Sequence, residues 1–146
     1  MRVLVQRSLN SSVSVDGEII GKIDNGLVLL VGFTEGDNEE KIDYLINKVI
    51  NLRIFDDEDG IMNKSLLDVQ GAVLSISQFT LYADSKKGNR PSYIKALRPE
   101  KATVLYDLFN KKLSNYVKVE TGEFGASMKL SITNDGPVTI LLESRD

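Results

Sequence analysis

The chain has 146 residues, of which 42% are hydrophobic and 27% charged, and its net charge at pH 7 is −3. These values are typical of a globular protein, and we expect a single domain spanning residues 1–146. Cysteine and histidine are absent from the sequence, which excludes disulfides, thiolate metal sites and Ser-His-Asp or Cys-His catalysis. An enzyme built from this chain must therefore work without histidine.

The sequence offers no membrane span and no obvious leader. Its longest apolar run, Leu27–Val31, is far shorter than the roughly 20 residues that cross a bilayer. Residues Met1–Arg7 alternate like a charged strand rather than a signal peptide. We expect a cytoplasmic protein, without a membrane partner.

Strands are predicted first along the chain. Val3 and Val5, and then Val13 and Val15, alternate at the strand period, and Asp16-Gly17 predicts a tight hairpin turn into a return strand over residues 18–23. The apolar run Leu27–Val31 predicts a central strand that is buried on both faces.

Two main helices are predicted next. Asp37 and Glu40 resemble a capping box that opens a helix reaching to about Asn51. Arg98-Pro99 predicts the start of the second helix, because proline is well tolerated in the first turn. The apolar stripe of this second helix consists of Ala102, Leu105, Phe109 and Leu113.

The remaining apolar segments predict further strands, at residues 72–76, 117–120, 128–132 and 138–142. Most connections are short and favour antiparallel pairing. The predicted fold class is α/β: a single layered domain with a mostly antiparallel β-sheet, β/β/α layers and two main helices.

Charge is distributed unevenly. Residues 35–59 carry nine acidic and three basic side chains, whereas residues 84–101 carry six basic and two acidic ones. Such runs are commonly solvated surfaces. The alternative is an anion-binding loop in which Gly88 lets the backbone approach a phosphate and Lys86, Lys87 and Arg90 bind its oxygens.

A polar motif, Ser77-Gln78-Phe79-Thr80, ends the strand at residues 72–76. It is either a turn or the rim of a ligand site in which Gln78 and backbone N–H groups bind a carbonyl or oxyanion. Thr80 carries a nucleophilic hydroxyl, but the local sequence supplies no histidine or lysine to activate it. We therefore interpret Thr80 first as a positioning residue.

Two further stretches are unusual. In Asn134–Thr139, a turn is the simple interpretation, but a cis Gly136–Pro137 bond would direct two carbonyl oxygens the same way and form a rigid steric gate. In Gly122–Met128, Phe124 and Met128 are either core residues or, with small neighbours between them, the walls of a pocket for a flat ring.

Taken together, these stretches resemble the D-aminoacyl-tRNA deacylase (D-tyrosyl-tRNA deacylase) family. The family's Ser-Gln-x-Thr-Leu-Tyr-Ala and Asn-x-Gly-Pro-Val-Thr motifs match Ser77–Ala83 and Asn134–Thr139. The opening Arg2–Arg7, the loop Gly88–Ser92 and Phe124–Met128 also look like the family, in the same order. The resemblance thus covers nearly the whole chain.

The resemblance implies hydrolysis of the ester that joins a D-amino acid, or glycine mischarged on tRNA(Ala), to the terminal adenosine of tRNA. It implies a homodimer in which Gly136-Pro137 is a cis dipeptide inserted into the partner subunit's pocket. There its carbonyl oxygens exclude L-amino acids, and Arg7 holds its orientation. Chiral proofreading without a cofactor or metal follows from the same resemblance.

It further implies roles for the remaining motif residues. Ser77, Phe124 and Met128 match positions that bind the adenosine, and Gln78, Phe79 and Thr80 match positions around the ester. Our hypothesis is that the Phe79 N–H, with Gln78 nearby, stabilises the oxyanion while the substrate's 2′-hydroxyl assists water. Two alternatives stay open: a hydrolase with Thr80 as covalent nucleophile, and a non-catalytic module that binds RNA ends.

Overall fold

The computed structural model of the chain describes residues 1–145. Its strands, in chain order, are β1 (Arg2–Val15), β2 (Glu18–Gly32), β3 (Phe55–Asp56), β4 (Met62–Lys64), β5 (Ala72–Ser77), β6 (Val119–Thr121) and β7 (Lys129–Glu143). Its helices are α1 (Glu39–Asn51), α2 (Leu66–Val69) and α3 (Pro99–Leu113), and a 3-10 helix spans Phe79–Tyr82.

Five strands form one mixed sheet, in the order β6-β5-β2-β1-β7, while β3 and β4 pair separately. The three long strands are antiparallel neighbours, with β1 paired to both β2 and β7. The two shorter strands join in parallel, β5 to β2 and β6 to β5, because the long connections that precede them allow a crossover. The predicted α/β class is confirmed, and the parallel edge was not foreseen.

The predicted hairpin is confirmed, but the strands are longer than the sequence indicated. Asp16 and Gly17 have φ values of 51° and 82°, as a two-residue turn between twisted strands requires. The segments predicted as separate strands at 128–132 and 138–142 belong to a single strand, β7. They merge because β7 pairs with β1 on both sides of Gly136-Pro137.

One helix start was predicted correctly and the other was wrong. Helix α3 begins at Pro99 as expected. Helix α1 is capped by Asn38, whose side chain accepts a hydrogen bond from the Lys41 N–H. Asp37 does not cap the helix, because its carboxylate instead accepts from the Thr34 N–H and from the Met1 ammonium, each at 2.8 Å.

The sheet separates two apolar clusters. Alternate residues of β2, such as Leu27, Leu29 and Val31, face α1 and α3 in the larger core. Val28 belongs to a second cluster on the opposite face, with Val13, Ile23, Leu74 and Ile76. The centre of β2 is thus covered on both sides, as its continuous apolar run predicted.

Within residues 1–145 no helix is both long and apolar enough to cross a membrane. The cytoplasmic location and the single-domain boundaries remain predictions.

Candidate active site

The polar motif lies where β5 ends beside β2. Ser77 is the last residue of β5 and is paired with Val31. The Gln78 N–H donates to the Val31 carbonyl at 2.8 Å, which extends the ladder by one bond. The 3-10 helix then begins at Phe79, and the first N–H groups of such a turn have no acceptor within it. The backbone here therefore offers donors beside the side chains of the motif.

Thr80 is held by its own motif. The Gln78 amide Nε2 donates to the Thr80 hydroxyl oxygen. No Lys, Asp or Glu side chain of residues 1–145 hydrogen-bonds to that hydroxyl. A hydroxyl without a base is a weak nucleophile, so the arrangement favours positioning over covalent chemistry.

Arg2 supports the 3-10 helix from β1, a contact that the sequence interpretation missed. Its Nη1 donates to the Leu81 carbonyl at 2.7 Å. Its guanidinium carbon also lies 4.5 Å from the centroid of the Tyr82 ring, within the range of a cation–π interaction. The only signal in the sequence was the arginine in the opening segment, and its partner lies 79 residues away.

A cavity of about 590 Å³ opens beside the motif. Five of the predicted site residues line it: Ser77, Gln78, Phe79, Phe124 and Met128. Most of the other lining residues are apolar or small, with Arg98 as a basic exception: Val31, Gly32, Phe33, Ile76, Tyr93, Ala96, Leu97, Pro99, Ala102, Gly125, Ala126 and Leu130. An apolar cleft with a few converging polar groups is typical of a small-ligand site.

Phe124 and Met128 form part of the cavity wall rather than only core. The Phe124 ring contacts the Tyr106 ring, with 5.9 Å between centroids. The Met128 sulfur packs so closely on Gly122 that a Cβ at that glycine would lie 2.4 Å from it. A side chain at position 122 would therefore force the Met128 side chain to shift from its place in the wall.

A buried tyrosine supports this wall from behind. Tyr106 donates through its hydroxyl to the Ser75 carbonyl at 2.7 Å. Burial raises the pKa of Tyr106, because the phenolate would lose its hydration there. The hydroxyl thus stays a donor to β5, two residues before Ser77.

The other wall comes from the segment before α3. The Leu97 N–H donates to the Phe33 carbonyl at 3.0 Å, and Ala96 pairs with Thr34. These bonds attach residues 96–97 to the end of β2. Tyr93, earlier in the same segment, contacts Phe79 edge to face, with 5.2 Å between the ring centroids and 74° between the planes.

In the second motif, residues 135–138 of β7 leave the ladder with β1, and we call this irregular segment the excursion. Ser8 pairs with Asn134 and Gln6 pairs with Thr139, so that residues 135–138 lie opposite Arg7 alone. The Gly136–Pro137 bond in this excursion is cis, and both residues are exposed. Neither lines the cavity of its own chain.

Arg7 fills the base of this excursion. Its side chain is 10% exposed, and it donates from Nε to the Asp135 carbonyl at 3.2 Å and from Nη1 to the Ile54 carbonyl at 2.9 Å. The Asp56 and Asp135 carboxylates lie within 3.4 Å of the same guanidinium. Arg7 therefore connects β7 to the chain just before β3, and like Gly136 and Pro137 it is not among the cavity residues.

Asn134 closes the excursion, a role that the sequence interpretation did not assign. Its Nδ2 donates to the Arg7 carbonyl at 2.9 Å and to the Val138 carbonyl at 3.0 Å. Its oxygen accepts from the Thr139 hydroxyl at 3.1 Å. The first and last residues of the motif are thus hydrogen-bonded to each other. The Asn and Thr of the Asn-x-Gly-Pro-Val-Thr motif were the signal in the sequence from which this role could have been inferred.

The basic loop is a separate surface feature. A bridge between Asp84 and Ser92 closes it, and Lys86, Lys87 and Arg90 are all exposed within it. The Lys86 N–H and the Lys95 ammonium hold the pKa of Asp84 below its usual value. These three basic side chains do not line the cavity.

In the described part of the chain, residues 1–145, no group of three or more acidic side chains could hold a metal ion. The expectation of a metal-free, cofactor-free site remains a prediction.

Comparisons with known proteins identify the family to which the chain belongs. A family model described as "D-Tyr-tRNA(Tyr) deacylase" matches residues 4–143. The "D-aminoacyl-tRNA deacylase" of Limosilactobacillus reuteri (strain DSM 20016) is 57% identical over 144 residues, which cover 98% of this chain and 99% of the relative. The match to the same protein of L. reuteri subsp. reuteri (strain JCM 1112) has identical values.

Two solved structures share the fold. A "c-Myc DNA Unwinding Element Binding Protein" has a TM-score of 0.94 and 39% identity, with full coverage of both chains. A "probable eukaryotic D-amino acid tRNA deacylase" has a TM-score of 0.83 over 97% of both chains, at 16% identity, and supports the fold alone.

The fold and the matches to the family model and the relatives identify the chain as a hydrolase that acts on aminoacyl-tRNA. More particularly, the chain belongs to the D-Tyr-tRNA(Tyr) deacylase family. Its activity is therefore that of a D-aminoacyl-tRNA deacylase, and tRNA binding and proofreading follow from the family.

Proposed function

We propose that this chain cleaves the ester of D-aminoacyl-tRNA, and of glycyl-tRNA(Ala), in the cavity beside β5, and rejects L-aminoacyl-tRNA through Gly136-Pro137. The observation that carries this proposal is that a single cavity is lined by both Ser77–Phe79 and the pair Phe124 and Met128. Polar donors for an ester and apolar walls for an adenine ring are thus adjacent.

In this proposal the terminal adenosine binds between Phe124, Met128 and Ser77. The cavity is large enough for a nucleoside with an amino acid, since ligand pockets commonly measure about 300–1,000 Å³. The adenine ring stacks on Phe124, whose position is supported by Tyr106. The ester is thereby brought to the end of β5.

Hydrolysis then depends on the backbone. The Phe79 N–H, with Gln78 nearby, stabilises the tetrahedral oxyanion, and water attacks with help from the ribose 2′-hydroxyl. Thr80 positions Gln78, because its hydroxyl accepts the Gln78 amide. Losing an oxyanion donor typically lowers the rate by about 10²–10³.

Thr80 gives the test of this mechanism. In Thr80→Ala, we expect the single-turnover rate on D-tyrosyl-tRNA to fall about tenfold, well below the loss of a donor, because only the orientation of Gln78 suffers. Thr80→Ser, which keeps the hydroxyl, is the matched control and should stay near the original rate. Complete loss in Thr80→Ala, or an acyl-threonine in acid-quenched digests, would revive the covalent alternative.

The chiral gate in this proposal belongs to a homodimer. Gly136 and Pro137 are exposed, they follow Asp135, whose carbonyl accepts from Arg7, and they do not line the cavity of their own chain. They would enter the cavity of a second copy, where their carbonyl oxygens occupy the place of an L side chain. Glycine has no side chain to exclude and would be accepted.

A mixing experiment tests whether the gate acts across two subunits. Gln78→Ala damages the cavity and Arg7→Met damages the gate, so that a mixed dimer contains one site with both parts intact. We expect the mixture to regain hydrolysis of D-tyrosyl-tRNA with rejection of L-tyrosyl-tRNA. If the gate acted within one subunit, the mixture would equal the average of the two variants.

Lys86, Lys87 and Arg90 are proposed to bind tRNA phosphates. They are exposed on one loop, which precedes the cavity residue Tyr93 in the chain, and a phosphate contact contributes through counterion release. In Lys86→Ala, the slope of log affinity against log salt should fall by roughly one. Lys48→Ala, on α1, is the control, and an unchanged slope in Lys86→Ala would remove the loop from the interface.

A further inference from the structure

Phe79 and Tyr93 form an aromatic pair at the edge of the cavity that the proposed chemistry does not use. The Phe79 side chain enters no step above, since only its backbone N–H is assigned. Phe79 is 56% exposed and Tyr93 is 45% exposed. Large aromatic side chains that remain this open beside a ligand cavity are candidates for binding.

The geometry of the pair leaves aromatic surface free. In an edge-to-face contact, one ring presents its edge to a single face of the other, and the planes here meet at 74°. The opposite face of one ring and the faces of the other are therefore not used by the pair. Both residues retain about half of their surface exposed, so the pair is open to a further partner.

The position of the aromatic pair indicates what kind of ligand could bind to it. Both rings line the cavity, and Tyr93 directly follows Ser92, where the bridge to Asp84 closes the basic loop. Lys86, Lys87 and Arg90 lie between Phe79 and Tyr93 in the chain, so the two rings that line the cavity flank the exposed basic loop in sequence. A single strand of nucleic acid, which carries both phosphates and bases, matches a cavity, an aromatic pair and a basic loop that are close in the chain.

We propose that the Phe79–Tyr93 pair is a stacking site for the nucleobase that precedes the terminal adenosine of tRNA. This inference rests on the proposed function, because it assumes that the terminal adenosine occupies the cavity. Stacking on aromatic rings needs no base-specific hydrogen bonds. None is needed here, because every tRNA presents the same cytidine-adenosine end. The pair extends recognition by one nucleotide.

The test compares two non-hydrolysable ligands by calorimetry. The first is 3′-deoxy-3′-(D-tyrosylamino)adenosine, and the second carries a cytidine 5′ to the same unit. We expect the second to bind about tenfold more tightly, as one stacked base allows. In Tyr93→Ala the ratio of the two affinities should fall towards that of a ligand whose 5′ nucleotide is abasic, whereas Tyr93→Phe should retain it.

Two controls separate the causes. Ile94→Ala, at a neighbour that is 87% exposed and outside the cavity lining, should keep the original ratio. The abasic ligand measures what the extra phosphate contributes alone. A gain equal for abasic and cytidine ligands, or one that survives Tyr93→Ala, would overturn the stacking site.

The remaining outcomes are also decisive. If the single nucleoside fails to bind the unaltered protein, the proposed function fails, whereas binding without any gain from cytidine removes only this inference. A change in the molar mass of Tyr93→Ala in solution would identify the pair as a contact between protein copies and would overturn the proposal.

Discussion

Two regions of the molecule depend on an arginine from the same strand, β1, and they differ in how deeply that arginine is buried. Arg2 supports the 3-10 helix that follows Gln78, and its side chain is 34% exposed. Arg7 supports the excursion at Gly136-Pro137, and its side chain is 10% exposed. Arg2 is a partly exposed contact at the surface, whereas Arg7 is a buried side chain that donates to two backbone carbonyls.

This difference indicates how each region tolerates change. A partly exposed charge is well hydrated, so its loss leaves groups that water can solvate. Arg7, in contrast, donates to the Ile54 and Asp135 carbonyls from a buried guanidinium, and its loss removes both of these donors. Loss of the Arg2 contact should therefore change the reaction rate more than the stability of the fold. Loss of the Arg7 contacts should instead lower the free energy of unfolding.

The largest expected effect is that of Arg7→Met. Because the Ile54 and Asp135 carbonyls lose their donor, we expect the free energy of unfolding to fall by about 3 kcal/mol. Urea denaturation measures this change, with Arg2→Met as the matched control at less than about 1 kcal/mol. Equal losses in the two variants would contradict the contrast between the two arginines.

Gly136→Ala should come next. The φ of Gly136 is +107°, and a Cβ there would lie 2.6 Å from the Arg7 Nη2. Strain and displacement of Arg7 together should lower the unfolding free energy by about 2 kcal/mol and let some L-tyrosyl-tRNA react. Gly60→Ala controls for backbone strain alone, since its φ is +76° with nothing within 4 Å, and it should leave the D/L ratio of single-turnover rates unchanged.

The smallest effect is expected for activity in Arg2→Met. Loss of the bond to the Leu81 carbonyl lets the 3-10 helix shift, so kcat should fall about tenfold, less than the about 10²–10³ of a lost donor. KM should change little, because Phe79 is the only lining residue that the 3-10 helix contributes and the rest of the cavity wall is unaltered. Glu143→Gln, which alters only the distant 3.9 Å ion pair of Arg2, is the control. A rise in KM without a fall in kcat would argue against positioning.

Local features of the fold were predictable from the sequence. The turn at Asp16-Gly17, the buried run Leu27–Val31 and the proline start of α3 each depend on neighbours within a few residues. The cavity residues Ser77 and Phe124 were also selected from their local pattern and the family resemblance, and the structure brings both to one cavity.

Long-range contacts account for what was missed. The sequence around Asp37 does not indicate that its carboxylate binds the Met1 ammonium, so the N-cap of α1 was predicted one residue too early. The apparent break at Asn134–Thr139 is overridden because β1 pairs with β7 on both sides of it. Arg2 and Arg7 have partners 47 to 128 residues away, a relation that no local pattern contains.

The spacing of the two arginines along β1 has a consequence for how the family can vary. Arg7 lies five positions after Arg2 in the sequence, and an odd offset places the two side chains on opposite faces of a strand, roughly 17 Å apart. A substitution at one arginine therefore reaches the other only through the strand itself. A one-residue insertion between them would instead turn both side chains to the same face and remove one of the two supports.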